Sequence, residues 1–296
     1  MGFVTRLKGW LRGDRGEATP GLGVDELARR LRLPAAQLES HQPVYRSFAI
    51  AKQSGGMRTI LAPDDTLRGL QRLLLRRVFA RLRCHPAALG FERGQSIVTH
   101  ARLHARRAVV LRMDLKDFFS STRAERVTSY LRKAGWNAAA SELLARLCTH
   151  AGSLPTGAPT SPRLSNLVNY RLDARLSGLA ARHQATYSRY ADDLTFSFAQ
   201  DARDAIHAVI GMTKVIVADD GYQLHQKKKL RIARQHERQV VTGLVVNGAV
   251  NLPRSKRRWL RAVEHRLATG RGATLTRTEL DGWRALRSMI EKQRDA

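Results

Sequence analysis

Asp192 and Asp193 are adjacent acids within Tyr190-Ala191-Asp192-Asp193, flanked on both sides by strand-like residues. Thr186-Tyr187-Ser188-Arg189 precedes them. After them Leu194, Phe196 and Phe198 alternate with Thr195 and Ser197, the period-two signature of a half-buried strand. The four residues read as the tip of a β-hairpin. Two carboxylates on a tight turn repel each other unless positive charge lies between them. A polar turn, which Asp favours, is the plain explanation of an isolated pair. A pair of Mg²⁺ ions is the chemical one, because hard cations take carboxylate oxygens and serve phosphoryl and nucleotidyl transfer. Asp114 shifts the balance. It ends the run Val109-Val110-Leu111-Arg112-Met113-Asp114, where period two sets it on the face opposite Leu111 and Met113. A third carboxylate on a separate strand completes the donor set of two-metal catalysis. One ion would activate an attacking 3′-hydroxyl; the other would hold a triphosphate and its leaving pyrophosphate. Asp219-Asp220 has no flanking hairpin and stands before Gly221, so it reads as a solvated helix end.

The elements that must position these acids can be followed along the chain. Phe3, Leu7, Trp10 and Leu11 share a helical face, residues 13–23 form a Gly-rich linker, and two short helices surround Pro34. Tyr45–Lys52 and Arg58–Leu61 are strands joined through Ser54-Gly55-Gly56. Asp64 or Asp65 caps a helix with Leu67, Leu70, Leu73, Leu74, Val78 and Phe79 on one face and Arg68, Arg72, Arg76 and Arg77 on the other. Ala108–Leu115 is a strand, and a helical region runs from Arg123 to about His150. The three prolines of Leu154–Pro162 impose a shaped loop, which leads into a helix over Arg163–Arg182. A helix at about 202–220 follows the hairpin, then a basic segment. Strands Val240–Asn247 and Ala249–Leu252 turn at Asn247-Gly248, and a basic helical tail begins at Arg254. No internal repeat is present.

Composition narrows the partners. The 296 residues carry 52 Lys plus Arg against 25 Asp plus Glu, a formal net charge of +27. A surface that basic attracts polyanions, nucleic acid first. No stretch approaches a membrane span, and Gly13, Asp14 and Gly16 interrupt any secretory apolar run. With only Cys84 and Cys148, a disulfide framework is not implied and a reducing cytoplasm fits.

Three ordered segments resemble the catalytic motifs of bacterial reverse transcriptases, over about residues 45–260. Asp114-Leu115-Lys116-Asp117-Phe118-Phe119-Ser120-Ser121 is similar to the first catalytic motif. Pro155-Thr156-Gly157-Ala158-Pro159-Thr160-Ser161-Pro162-Arg163-Leu164-Ser165-Asn166 resembles the template- and nucleotide-positioning motif, and Tyr190–Asp193 the second catalytic motif. The resemblance implies an α+β right-hand polymerase. Residues 1–40 would be a helical extension and linker, and 41–107 the fingers. A palm with an antiparallel sheet would span 108–250, part of 123–165 adding to the fingers, and a short helical thumb 251–296. It implies that Asp114, Asp192 and Asp193 are catalytic and hold two Mg²⁺, replaceable by Mn²⁺, with the Leu115 carbonyl a further ligand. Phe119 falls at the gate that excludes a ribose 2′-hydroxyl. Arg58 is a candidate triphosphate clamp, with Lys52 and Lys228 weaker ones. Pro155, Thr156 and Gly157 border the nucleotide, although Thr156 stands where the family usually has Gln.

Gly90–His104 resembles the retron type, which carries Asn-Ala-x-x-His here; this chain has His100, Ala101 and His104. Val241-Thr242-Gly243 resembles the Val-Thr-Gly element that retron enzymes use toward their own structured RNA. His100 and His104 lack the acidic partner expected of a metal pair. Lys256, Arg257, Arg258 and Trp259 read as cations and an aromatic entering nucleic acid. The retron resemblance implies a structured noncoding RNA, primed from its own 2′-hydroxyl and extended with dNTPs into an RNA–DNA product. It also implies antiphage defence with an effector protein in trans. Intron-type, diversity-generating or abortive-infection reverse transcriptases are the alternatives, as is a non-catalytic RNA-binding scaffold that restrains a toxin. The short thumb and the Val-Thr-Gly element argue against an intron enzyme, and the three intact Asp residues against a scaffold.

Overall fold

A computed structural model describes residues 21–51, 55–225 and 230–294. The expected Phe3–Leu11 helix, most of the Gly-rich linker, Lys52 and Lys228 lie outside the described residues. α1 (Val24–Leu31) and α2 (Ala35–Ser40) are the two helices around Pro34. β1 (Tyr45–Ala51) and β2 (Met57–Pro63) pair antiparallel, Tyr45 opposite Pro63 and Ala51 opposite Met57. Asp64 then caps α3 (Asp65–Arg77), its carboxylate accepting the Leu67 N–H at 2.8 Å. Leu27, Leu31 and Leu38 pack with Leu70 and Leu74 of α3, so the N-terminal helices share a core with α3.

α4 (Ile97–Leu103) starts with a capping box between Ser96 and Thr99. β3 (Val109–Asp114) and the single turn α5 (Phe118–Ser121) follow. The helical region expected from Arg123 to about His150 consists of α6 (Ala124–Lys133) and α7 (Ala138–Cys148). Gly135 at φ 100 turns the chain, and Asn137 caps α7 by accepting the Ala140 N–H at 2.9 Å. The next expected helix divides into α8 (Ser161–Val168) and α9 (Tyr170–Arg182), at Asn169.

β4 (Ala185–Tyr190) and β5 (Asp193–Phe198) form the expected hairpin. After α10 (Arg203–Asp219) comes β6 (Arg231–Arg234), completing an antiparallel sheet of order β4-β5-β3-β6. Leu111, Met113, Leu194, Phe196 and Phe198 point to one face and bury against Leu172 and Leu176 of α9 and Val209 and Ile216 of α10. Full burial of each such side chain is worth about 1.5–3 kcal/mol. The opposite face is not open, contrary to the half-buried pattern: Thr195 and Ser197 are also buried, and His104 after α4 bonds the Ser197 hydroxyl at 2.8 Å.

β7 (Val240–Val241) and β8 (Leu244–Val245) turn at Thr242-Gly243, with φ of 44 and 83. The expected first turn at Asn247-Gly248 is therefore a second reversal, after which Asn251 and Val245 exchange backbone hydrogen bonds at 2.8 and 3.1 Å. The basic tail is a helix pair, α11 (Arg254–Ala268) and α12 (Arg277–Arg294). Leu260, Val263, Leu280 and Ile290 join a core with Val98 and Ala101 of α4 and Val241 and Leu244 of the small hairpin. No helix among the described residues is long and apolar enough to cross a membrane.

Candidate active site

The sheet register brings the acids together. Asp114 and Asp193 are cross-strand partners at the last pair of β3 and β5. Tyr190 pairs with Asp193, so Ala191 and Asp192 are the two residues of the turn, with Ala191 at φ 57. The Asp192 carbonyl accepts the Leu115 N–H at 2.9 Å, which ties the turn to the end of β3. Directly opposed like charges destabilise a sheet, and the chain supplies its own counter-charge. The Arg112 guanidinium ion-pairs with Asp193, and the Thr195 hydroxyl donates to Asp193 Oδ1 at 3.4 Å. His225 donates its N–H to the Asp114 carbonyl at 2.9 Å and places Nε2 3.6 Å from Asp114 Oδ2. Neither Arg112 nor His225 was identified from sequence. Arg112 is on the Asp114 face of β3, one alternate position back, which is the signal that could have found it.

Among the described residues no three His, Cys, Asp or Glu side chains stand together as a finished metal cluster. The donor chemistry does fit a hard divalent cation: carboxylates at the adjoining ends of β3 and β5 and in the β4–β5 turn. Asp219 and Asp220, by contrast, stand at the end of α10 and pair with Arg175 at 2.8 and 3.2 Å.

Beneath the turn lies a buried network that the sequence did not reveal. Arg189 and Asp173 are both fully buried, joined by Nε to Oδ1 at 2.8 Å and Nη2 to Oδ2 at 2.6 Å. The Tyr187 hydroxyl donates to Asp173 at 2.9 Å, and Arg189 Nη1 donates to Asn166 Oδ1 at 3.1 Å and to the Ala191 carbonyl at 3.0 Å. Burial opposes the Arg189 charge, but Asp173's charge and hydrogen bonds outweigh it and raise the pKa, so the side chain stays cationic. Arg189 thus clamps the turn from inside. Its signal in the sequence is a charge at an inward strand position, alternating with Tyr187.

Around the acids, Phe118 is buried while Phe119 is half-buried, with ring centroids 5.4 Å apart. Pro155 is buried, and its carbonyl accepts the Ser161 hydroxyl at 2.8 Å. The Thr156 carbonyl accepts the Leu61 N–H of β2 at 2.7 Å. Gly157, at φ 126, lies against β2 so closely that a Cβ would come within 2.9 Å of the Leu61 carbonyl oxygen. That packing requires glycine independently of any ligand. Arg58 is exposed on β2, opposite Ile50.

The residues expected to touch RNA divide into buried and exposed sets. His100, Ala101, His104 and Val241 are fully buried, which favours a packing role for those side chains. His104 bolts the sheet, its ring nitrogens 2.8 Å from Ser197 and 2.7 Å from Ser188 hydroxyls. His100 stacks on Tyr190 with centroids 5.4 Å apart, and its ring nitrogens have no hydrogen-bond partner among the described residues. The Thr242 hydroxyl donates to the Ile97 carbonyl at 3.1 Å, and Gly243 is exposed. Lys256 sits over the Trp259 and Trp283 rings at 4.2 and 4.7 Å, so it and Trp259 hold the two-helix tail together, while Arg257 and Arg258 remain exposed.

Burial holds His100 at a pKa of about 4, and lowers that of His104 well below the ordinary value near 6.5. An unfolded chain would protonate them near pH 6.5, while the folded one resists until far lower. Stability is therefore expected to fall as pH drops from 6.5 toward 4, by about 3 kcal/mol for His100 alone. Denaturant midpoints across that range should show it. His100→Phe, which keeps a ring against Tyr190, is expected to remove roughly half of the slope that the two histidines create.

A hairpin carrying two acids beside a third on the neighbouring strand, on a sheet backed by helices, is the arrangement that the reverse-transcriptase resemblance led one to expect. Residues 50–244 match the family described as Reverse transcriptase (RNA-dependent DNA polymerase), and the chain belongs to that family, in its bacterial retron type. Over 84% of its length it is 39% identical to the Retron Mx65 reverse transcriptase of Myxococcus xanthus, covering 62% of that protein. It is 39% identical over 77% of its length to the Retron Mx162 reverse transcriptase of the same organism, covering 53%. Against the Retron Ec86 reverse transcriptase of Escherichia coli it is 34% identical over 81% of its length, covering 74%. The chain thus spans under two thirds of the two Myxococcus proteins.

Proposed function

We propose that this chain is an RNA-directed DNA polymerase, as its relatives are named reverse transcriptases, and that it extends a primer on a structured noncoding RNA. The pairing of Asp114 with Asp193 across β3 and β5, with Asp192 in the turn beside them, carries the reading. In this reading the four-stranded sheet is the palm, the β1–β2 hairpin with α3 the fingers, and the α11–α12 pair the thumb. Asp114, Asp192 and Asp193, with the Leu115 carbonyl, would hold two Mg²⁺, or Mn²⁺ in their place. Bound there, the ions would lower the pKa of the primer hydroxyl and neutralise the triphosphate. The protein's own residues do the positioning. Arg189 fixes the turn through the Ala191 carbonyl, and Arg112 balances the charge of Asp193. Arg58, and Lys228 more weakly, are suited to triphosphate oxygens, and Pro155, Thr156 and Gly157 line the approach to β2. Phe119 would exclude a ribose 2′-hydroxyl, so Phe119→Ala should gain ribonucleotide incorporation; unchanged sugar selectivity removes it from that role.

For the RNA, Arg257, Arg258 and the exposed Gly243 are the contacts best supported, and the +27 charge supports a polyanionic partner. The primer would be a 2′-hydroxyl of that RNA, and the product an RNA-linked DNA. In this reading the chain serves antiphage defence in the cytoplasm with an effector in trans, as the retron resemblance implies. Purifying the protein from its host and sequencing the bound nucleic acid tests the assignment. Covalently joined RNA–DNA is the expected result; its absence counts for another bacterial reverse transcriptase.

A further inference from the structure

Phe91 stands in the left-handed region at φ 66. That conformation is an outlier for a bulky side chain and persists only where the surroundings impose it. Here they do. Gly90 abuts the catalytic turn so closely that a Cβ would come within 2.6 Å of the Ala191 nitrogen. The Leu89 N–H donates to the Arg189 carbonyl at 2.9 Å, and Asn166 Nδ2 donates to the Gly90 carbonyl at 2.6 Å. On the other side Glu92 accepts from Asn166 Nδ2 at 2.8 Å and pairs with Arg163. Both flanks of Phe91 are fixed, yet the residue is 46% exposed.

Core packing does not explain a strained backbone that holds a phenyl ring half in water. The ring's aromatic neighbour is Phe119, with centroids 6.2 Å apart and planes tilted 38°, within the range of an interacting pair. Phe119 is thus flanked by buried Phe118 on one side and strained Phe91 on the other. The loop that carries Phe91 hangs from the Arg189 carbonyl and from Asn166, and the Arg189 side chain holds the Ala191 carbonyl while donating to Asn166.

We propose that Phe91 is a specificity-determining residue that backs the Phe119 ring and so fixes the wall against which an incoming sugar is sized. The inference rests on the reading of Phe119 as the sugar gate. It also makes sugar selection dependent on the loop that abuts the catalytic turn. Because Phe91 is half exposed, its truncation leaves the main cores intact.

The test compares ribonucleotide with deoxynucleotide incorporation by the full protein, purified with its bound nucleic acid, for Phe91→Ala, Phe119→Ala and the double variant. Phe91→Ala is expected to raise relative ribonucleotide acceptance roughly two- to tenfold, the factor a ring pair of this kind supplies. Phe119→Ala should raise it more. The double variant should add nothing to Phe119→Ala, since a support has no effect once the wall is gone. If Phe119→Ala relaxes selectivity and Phe91→Ala does not, the support role is overturned and the gate stands. Additive effects in the double variant also overturn it, because Phe91 would then act on the substrate by itself. If Phe119→Ala changes nothing, the gate and its support fall together. Should Phe91→Ala melt early, Phe91→Leu enters the same comparison, with a smaller rise in the same direction expected.

Discussion

Asp114→Asn is expected to lower deoxynucleotide incorporation by at least about a thousandfold, since it removes an anionic ligand where charge stabilisation is worth several kcal/mol. The substitution is nearly isosteric. The backbone of Asp114 is held by its pairing with Asp193 and by the His225 N–H, neither of which needs the carboxylate. The fold should therefore survive, and circular dichroism can establish that before single-turnover rates are compared. A loss of tenfold or less would mean that Asp114 helps shape the strand end and takes no part in the chemistry.

Asp173→Ala is expected to cost about 3–5 kcal/mol of stability, because it strands a buried guanidinium without its partner. Domains of this kind have only about 5–15 kcal/mol in all, so the midpoint of denaturant unfolding should fall steeply. Arg189 cannot escape the penalty by deprotonating, and its side chain has no route to water from a fully buried position. Replacing both partners by apolar residues, Asp173→Leu with Arg189→Met, should restore much of the stability, as buried ion pairs often tolerate such exchange. Activity should not return with it. The Ala191 carbonyl loses its 3.0 Å contact with Arg189, and the turn that carries Asp192 is no longer clamped from within. Recovery of both properties would reduce the network to packing.

What could be read from the residues was whatever is decided locally. The hairpin around Asp192 and Asp193 is specified by period-two apolar residues and a two-residue turn, and β3 by its own alternation. The cap at Asp64 is likewise a matter of a few neighbouring residues. Interruptions were harder. Apolar periodicity runs across Asn169, so a single helix was expected over Arg163–Arg182 where there are two. Thr242 at φ 44 hid the small hairpin, because a β-branched residue is a poor candidate for a left-handed turn. Long-range pairings were not legible at all. Arg112 with Asp193, Arg189 with Asp173, and His104 with Ser188 and Ser197 depend on sheet register and helix packing that no local pattern encodes. For the same reason the residues left open whether His100 and His104 pack in a core or face RNA, and the structure places both side chains in buried positions against the sheet.

The central claim is that the acids of the β4–β5 turn, with Asp114, form the catalytic centre of an RNA-templated DNA polymerase. Primer extension on an RNA template with dNTPs and Mg²⁺ tests it most directly, with wild-type protein beside Asp192→Ala combined with Asp193→Ala. The account predicts template-directed DNA synthesis by the wild type, abolished by chelation and by the paired substitution. Undiminished synthesis by the doubly substituted protein would contradict it.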